Sequence, residues 1–208
     1  MEQNSKRYSK PRIRTRQVHE QFTEPAWLTT RMLLDVMHLK DPSTGGHSSR
    51  VGEYTSRLAA VLDMKPLETD RTVMAALIHD IGKVGVRDEI LFKESGLNAD
   101  EWEEIRRHCE YGWSILRDIP RMEEVALMLL HHHERFDGRG YPVGLKGDEI
   151  PYGARIISVT DAFDAMTSDR PYRASIGVGA AVHELTTNAG TQFDPDIVQA
   201  FLNLLKSE

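Results

Sequence analysis

Apolar positions recur at helical spacing from about residue 24 onward, and no run alternates with the period of two that a half-buried strand requires. A first helix is predicted over 25–40, with Trp27, Met32, Leu33, Val36 and Met37 as its apolar positions, and the segment DPSTGG at 41–46 interrupts it. A second is predicted over 47–64. Its stripe is Val51, Tyr54, Leu58, Val61 and Leu62, and His47, one helical turn before Val51, opens the same face. The third, over 67–79, is apolar all round between Val73 and Ile78, the mark of a central, buried helix, and Gly82 is read as its stop. Residues 84–98 read as a loop. Asn98 followed by Glu101 has the form of a capping box and starts a fourth helix that carries Trp102 and Ile105 to His108, with Gly112, Ile115 and Leu116 continuing the pattern. A fifth helix over 122–133 shows Met122, Val125 and Leu129 on one face and ends in His132 and His133. Residues 135–150, rich in glycine, proline and charge, read as an exposed loop. A sixth helix over 154–167 sets Asp161 among apolar residues, and shorter helices follow near 178–185 and 195–205, the last opened by Asp194 as N-cap and Pro195 at its first position. The expected fold is all-α, a compact bundle of about seven or eight helices.

Length and composition narrow the picture further. A chain of 208 residues supports one domain with a real core and not two large ones. Its formal net charge of -6 argues against a dedicated nucleic-acid binder. The basic residues are nonetheless crowded at one end: Lys6, Arg7, Lys10, Arg12, Arg14 and Arg16 lie in a stretch of little apolar content. The expected organisation is therefore a basic, disordered leader at 1–22 and one helical domain at 23–208. The alternative for the leader is a weak contact with acidic lipid, nucleic acid or a partner protein. No segment reaches the length of apolar residues that spans a bilayer, no secretory signal is visible, and the one cysteine, Cys109, cannot form an internal disulfide, so a cytoplasmic location is expected.

The chemistry lies in histidines that recur where buried helices end: His47, His79, His108, His132 and His133, joined by Asp80 and Asp161. Imidazole and carboxylate together suit divalent iron, manganese or zinc. Singly, each histidine is more simply a hydrogen-bonded core residue. Asp80 is harder to explain that way, because a carboxylate following a buried apolar run needs a cation beside it. His131 points roughly 100° away from its neighbour on a helix and is read as an orienting or surface residue. In the loop ERFDGRGYP, Gly138 and Gly140 permit tight turns, and Tyr141 before Pro142 is either part of a plain surface turn or a pocket wall able to stack on a base or donate to a phosphate. Arg170 and Arg173, next to the helix of Asp161, are a planar donor pair suited to phosphate, and Lys83, three residues after Asp80, can reach one as a point charge.

Taken together, GGHS at 45–48, HDIGK at 79–83, HHE at 132–134, GRGYP at 138–142, TDAFDAMTSDRPYR at 160–173 and GTQFDP at 190–195 resemble an HD-GYP domain, a subgroup of the HD phosphohydrolase superfamily, over about residues 30 to 205. The resemblance implies a helical bundle of the HD-domain type with a buried centre of two or three metals, often iron, that hydrolyses cyclic di-GMP or another cyclic dinucleotide. It implies His47, His79, Asp80, His108, His132, His133 and Asp161 as metal ligands, with Asp80 bridging. It further implies Lys83, Tyr141, Arg170 and Arg173 as nucleotide contacts. Two departures stand out. Members with three metals carry a glutamate four residues before the first ligand histidine, where this chain has Ser43, so two divalent ions, iron or manganese, are expected. Proline commonly follows the middle histidine, where this chain has Cys109, and the change is expected to be tolerated.

The expected activity is that of a cyclic di-GMP phosphodiesterase yielding pGpG, with a second round to GMP left open, Asp80 and Lys83 as catalytic residues, and protein signalling partners open. Two other readings stay open at this stage. One is a cyclic di-GMP receptor that signals by protein contact without turnover, for which a lost ligand would be the signature; the other is an HD phosphohydrolase acting on another nucleotide.

Overall fold

The computed structural model describes residues 24–41, 44–169 and 174–207. The basic leader, Ser43, Arg170 and Arg173 lie outside the described residues. Those described form ten α-helices and two short 3-10 turns, with no strand among them. The helices are α1 (Glu24–Lys40), α2 (Thr44–Val61), α3 (Pro66–Ile78), α4 (Asp88–Leu91), α5 (Ala99–Arg106), α6 (His108–Leu116), α7 (Glu123–His131), α8 (Tyr152–Thr167), α9 (Val178–Thr187) and α10 (Pro195–Lys206). The 3-10 turns are Ile81–Gly85 and Gly147–Glu149. None of the helices is long and apolar enough to cross a membrane.

The all-α expectation holds, and the helix count is higher for two local reasons. The loop expected over 84–98 contains the single helical turn α4. The helix expected to run through His108 is cut at Arg107, which caps both α5 and α6. The cut lets His108 start a new helix instead of ending an old one. Local chemistry sets several other boundaries where the sequence placed them. Asn98 Oδ1 accepts from the Glu101 amide at 2.9 Å while the Glu101 carboxylate accepts from the Asn98 amide at 2.9 Å, a complete capping box. Asp194 caps α10 through the Asp196 amide at 3.0 Å, with Pro195 next.

α3 is the central helix. Met74, Ala75, Ala76 and Ile78 are fully buried, packed among Ile81, Leu116, Leu129 and Ile157 from the elements around it. A second cluster lies between α2, α8, α9 and α10, built on Leu58, Phe163, Leu185, Ile197 and Phe201. There Tyr54, Phe163 and Phe201 meet edge to face at ring separations of 5.0 to 5.8 Å. The stripes read in sequence are narrower than expected: Val61 on α2 and Met32 and Val36 on α1 face outward, while Val51, Leu58 and Met37 face the core. The two clusters hold the ends of α3 and α7 and the middle of α8 around one point. Truncating Phe201 to alanine removes a fully buried ring of the aromatic trio. The expected cost is about 3–5 kcal/mol of unfolding free energy, read from urea denaturation; a loss below about 1 kcal/mol would mean that this cluster does not hold the fold.

Candidate metal centre

α3 ends at Ile78, and the chain turns at His79 and Asp80 into the 3-10 segment Ile81–Gly85. Gly82 is therefore not the helix stop read from the sequence, because the helix has already ended. Its role is close approach: a Cβ at Gly82 would overlap the backbone carbonyl oxygen of His108. This backbone contact draws the Asp80 turn against the first residue of α6. His132 closes α7 and His133 follows it, while His47 lies in the first turns of α2 and Asp161 in the middle of α8.

Three of these rings are held in the same way. His79 Nδ1 lies 2.8 Å from the Ala76 carbonyl, His108 Nδ1 2.7 Å from that of Ile105, and His132 Nδ1 2.7 Å from that of Leu129. A carbonyl oxygen can only accept, so each Nδ1 carries a proton, and in the neutral ring Nε2 is left as a bare lone pair. Burial, together with the neighbouring imidazoles, holds His132 well below the ordinary histidine range, pushes His133 down to about 3 and lowers His108, so these rings stay neutral. The remaining two rings behave oppositely. Burial disfavours the charged form of His47, but Asp161 and Asp164 outweigh it and raise this ring to about 9, and Asp80 raises His79 against the same penalty. The carboxylates thus draw positive charge into the pocket, where a proton and a metal ion compete for the same lone pairs.

The donors converge in two lobes. In the first, His47 Nε2 is 3.1 Å from Asp161 Oδ1, and His79 Nε2 is 3.4 Å from Asp80 Oδ2 and 3.9 Å from Asp161 Oδ1. In the second, His108 Nε2 and His132 Nε2 are 3.4 Å apart, and the ligand atoms of His108, Cys109, His132 and His133 all lie within 4.8 Å of one another. Asp80 joins the lobes: its Oδ2 faces His79, and its Oδ1 is 3.7 Å from His108 Nε2. Burial would raise the Asp80 carboxyl, but Lys83 and His79 hold it well below the usual carboxylate range, and Lys83 Nζ sits 2.7 Å from Oδ2. Burial acts on Asp161 likewise, and His47 and His79 hold it low. Two buried lone pairs facing each other at 3.4 Å repel unless a cation lies between them. The donor set fits a divalent ion of the iron, manganese or zinc kind, whose metal–nitrogen distances of about 2.0–2.1 Å place tetrahedral neighbours about 3.3–3.4 Å apart.

Two residues that the sequence reading passed over orient the site. Asp164 is 1% exposed; its Oδ2 lies 2.7 Å from His47 Nδ1, and Arg50 donates to its two oxygens at 2.5 and 3.0 Å. This carboxylate fixes the His47 ring with Nε2 toward Asp161. The signal was present, since Asp161 and Asp164 are three apart and share a helix face. Glu134, 3% exposed, accepts from the amides of Val143 at 2.8 Å and Gly144 at 3.0 Å. It anchors the 135–150 loop, whose residues are exposed or half-buried as expected apart from Ile150. Gly138 adopts the left-handed φ of 80° that its tight turn requires, but Gly140 serves close approach, because a Cβ there would overlap the backbone of Arg135. Tyr141 is thereby stacked on His133 at 5.0 Å between ring centres, with the Arg106 guanidinium 5.2 Å from its ring. His131 is buried, with Nδ1 3.5 Å from Glu134 Oε1, so it is an interior residue of the loop anchor. All seven residues implied as ligands, together with Lys83 and Tyr141, therefore meet in one place.

The chain matches a family model described as "HD domain" over residues 31–197. It is 40% identical over 176 residues to "3'3'-cGAMP-specific phosphodiesterase 3" of Vibrio cholerae, an alignment covering 83% of this chain and 38% of that protein. It is 40% identical over 169 residues to "Cyclic di-GMP phosphodiesterase" of Thermotoga maritima, covering 80% of this chain and 46% of the relative. The chain thus spans less than half the length of these curated relatives. Among solved structures, a cyclic GMP-AMP-specific phosphodiesterase of Vibrio cholerae superposes with a TM-score of 0.58 at 31% identity, covering 89% of this chain and 42% of that one.

Replacing Asp164 by alanine releases His47 and leaves Arg50 without its carboxylate. Divalent-metal affinity, measured by competition with a chromophoric chelator, is expected to fall about 10–100-fold while helical circular dichroism is kept. An unchanged affinity would show that Asp164 does not orient a ligand.

Proposed function

The chain belongs to the HD domain family, and on that premise we propose that it is a metal-dependent phosphodiesterase that hydrolyses cyclic di-GMP to pGpG and then to GMP, lowering the level of a second messenger. The observation that carries this reading is the two-lobed set of buried Nε2 and carboxylate donors with Asp80 between the lobes. His47, His79, Asp80 and Asp161 would hold one divalent ion, and Asp80, His108, His132 and His133 a second. Iron or manganese suits nitrogen and oxygen donors of this kind. Such ions supply Lewis-acid polarisation of the phosphate and a water nucleophile at neutral pH.

The chain's own residues do the rest. Lys83 puts a positive charge beside Asp80, where oxygens of a bound phosphate gather negative charge as the nucleophile arrives. Water adds to phosphorus, the bond to the ribose 3′ oxygen breaks in line, and the proton released on addition goes to that leaving oxygen. Burial raises the Tyr141 phenol and keeps it protonated, so it can donate to a phosphate oxygen while its ring, braced by His133, lies beside the substrate. Arg170 and Arg173 are assigned to phosphate binding from the sequence pattern. The reading carries with it a cytoplasmic location, where a soluble second messenger is met.

The related Vibrio cholerae phosphodiesterase favours a second reading in which 3′3′-cGAMP is the preferred substrate. Both are tested by incubating anaerobically purified, metal-loaded protein with cyclic di-GMP, 3′3′-cGAMP and a linear dinucleotide, and resolving the products by chromatography. Cyclic di-GMP is expected to be opened fastest; a faster turnover of 3′3′-cGAMP would select the second reading, and binding without cleavage of either would overturn both. Asp80→Ala is expected to lower turnover at least about 10³-fold with helix content kept, and chelation is expected to abolish turnover until manganese or ferrous iron is restored. Undiminished activity after either treatment contradicts the proposal.

A further inference from the structure

Cys109 is fully buried in the first turn of α6, directly after His108. Its sulfur lies 3.6 Å from His108 Nε2, and with the ligand nitrogens of His132 and His133 it completes a group of four donors all within 4.8 Å of one another. His132, 1% exposed, aims a bare Nε2 into this group, and its nearest polar neighbour there is another bare Nε2. Two of the separations fit neighbouring ligands on one metal ion at near-tetrahedral angles. With metal–nitrogen bonds of about 2.0–2.1 Å and metal–sulfur bonds of about 2.3 Å, the nitrogen–nitrogen edge is about 3.3–3.4 Å and the nitrogen–sulfur edge about 3.5–3.6 Å. The chain shows 3.4 Å for His108 to His132 and 3.6 Å for Cys109 to His108.

We propose that Cys109 is a further protein ligand in the second lobe, joining Asp80 and the three histidines there and biasing that lobe toward zinc or ferrous iron over manganese or magnesium. The inference rests on the metal-centre reading above and extends it to a residue that the sequence reading expected only to be tolerated. On ligation the thiol proton leaves to solvent and the sulfur keeps its oxidation state, so no oxidant or reductant takes part. A thiolate is a soft, anionic donor, and three imidazoles with a thiolate form a set that manganese and magnesium, which prefer oxygen, satisfy poorly. The two lobes then differ in kind: the first, with Asp161 and Asp80, offers two carboxylates, and the second offers sulfur.

The chain has one cysteine, so a thiolate signature from any bound metal can come only from Cys109. The test is to load the full chain with cobalt(II) alone and record near-ultraviolet and visible absorption for wild type, Cys109→Ala and Cys109→Ser. Circular dichroism and melting identify folded samples. The expected result is a sulfur-to-cobalt charge-transfer band in wild type that both variants lose while keeping visible cobalt bands, with cobalt affinity of the weaker-binding lobe reduced at least tenfold in Cys109→Ala. Visible cobalt bands in wild type without the charge-transfer band, or a band that survives in Cys109→Ala, would overturn the assignment of Cys109 and leave the metal centre standing. Failure of folded wild type to bind cobalt at all would overturn both.

Discussion

A buried imidazole has two nitrogens to satisfy. In His79, His108 and His132 one of them is committed by the backbone, because each ring sits just beyond the carbonyl three residues earlier and gives its Nδ1 proton to it. The geometry at these turns fixes the tautomer, and a neutral ring then presents a buried lone pair that needs a partner. One such ring could pair with a donor. Rings gathered from α3, α6 and α7 with their lone pairs turned to the same point need a cation, and the carboxylates of Asp80 and Asp161 raise that demand.

The rest of the fold serves this convergence. The two hydrophobic clusters fix the helices whose ends carry the ligands. Gly82 permits the backbone contact that brings Asp80 to His108, so one carboxylate reaches both lobes. Asp164 and Arg50 orient His47 from outside, and Glu134 folds the loop back so that Tyr141 covers His133. Pocket polarity and loop placement are thus consequences of the same few buried charges.

What could be read in the sequence follows from the range of each signal. Helix periodicity and caps are local, so Asn98 with Glu101 and Asp194 with Pro195 were legible. The candidate ligand histidines were legible because their recurrence at the ends of buried runs, in the order of the HD-GYP-like blocks, is unusual. Tertiary features were not. The break at Arg107 interrupts an unbroken apolar pattern, and Gly82 and Gly140 look like turn residues until the backbones they touch are known. Asp164 shares a helix face with Asp161, but its partners His47 and Arg50 lie over a hundred residues away, and the loop amides that hold Glu134 are known only once the chain is folded. Cys109 looked neutral for the same reason.

Asp80 is proposed to stand between two metal positions. Anomalous diffraction from crystals of the metal-loaded chain tests it directly. Two peaks are predicted about 3.5–4 Å apart, one among His47, His79 and Asp161 and one among His108, His132 and His133, with an Asp80 oxygen on each. A single peak away from Asp80, or metal bound only at surface carboxylates, would contradict it.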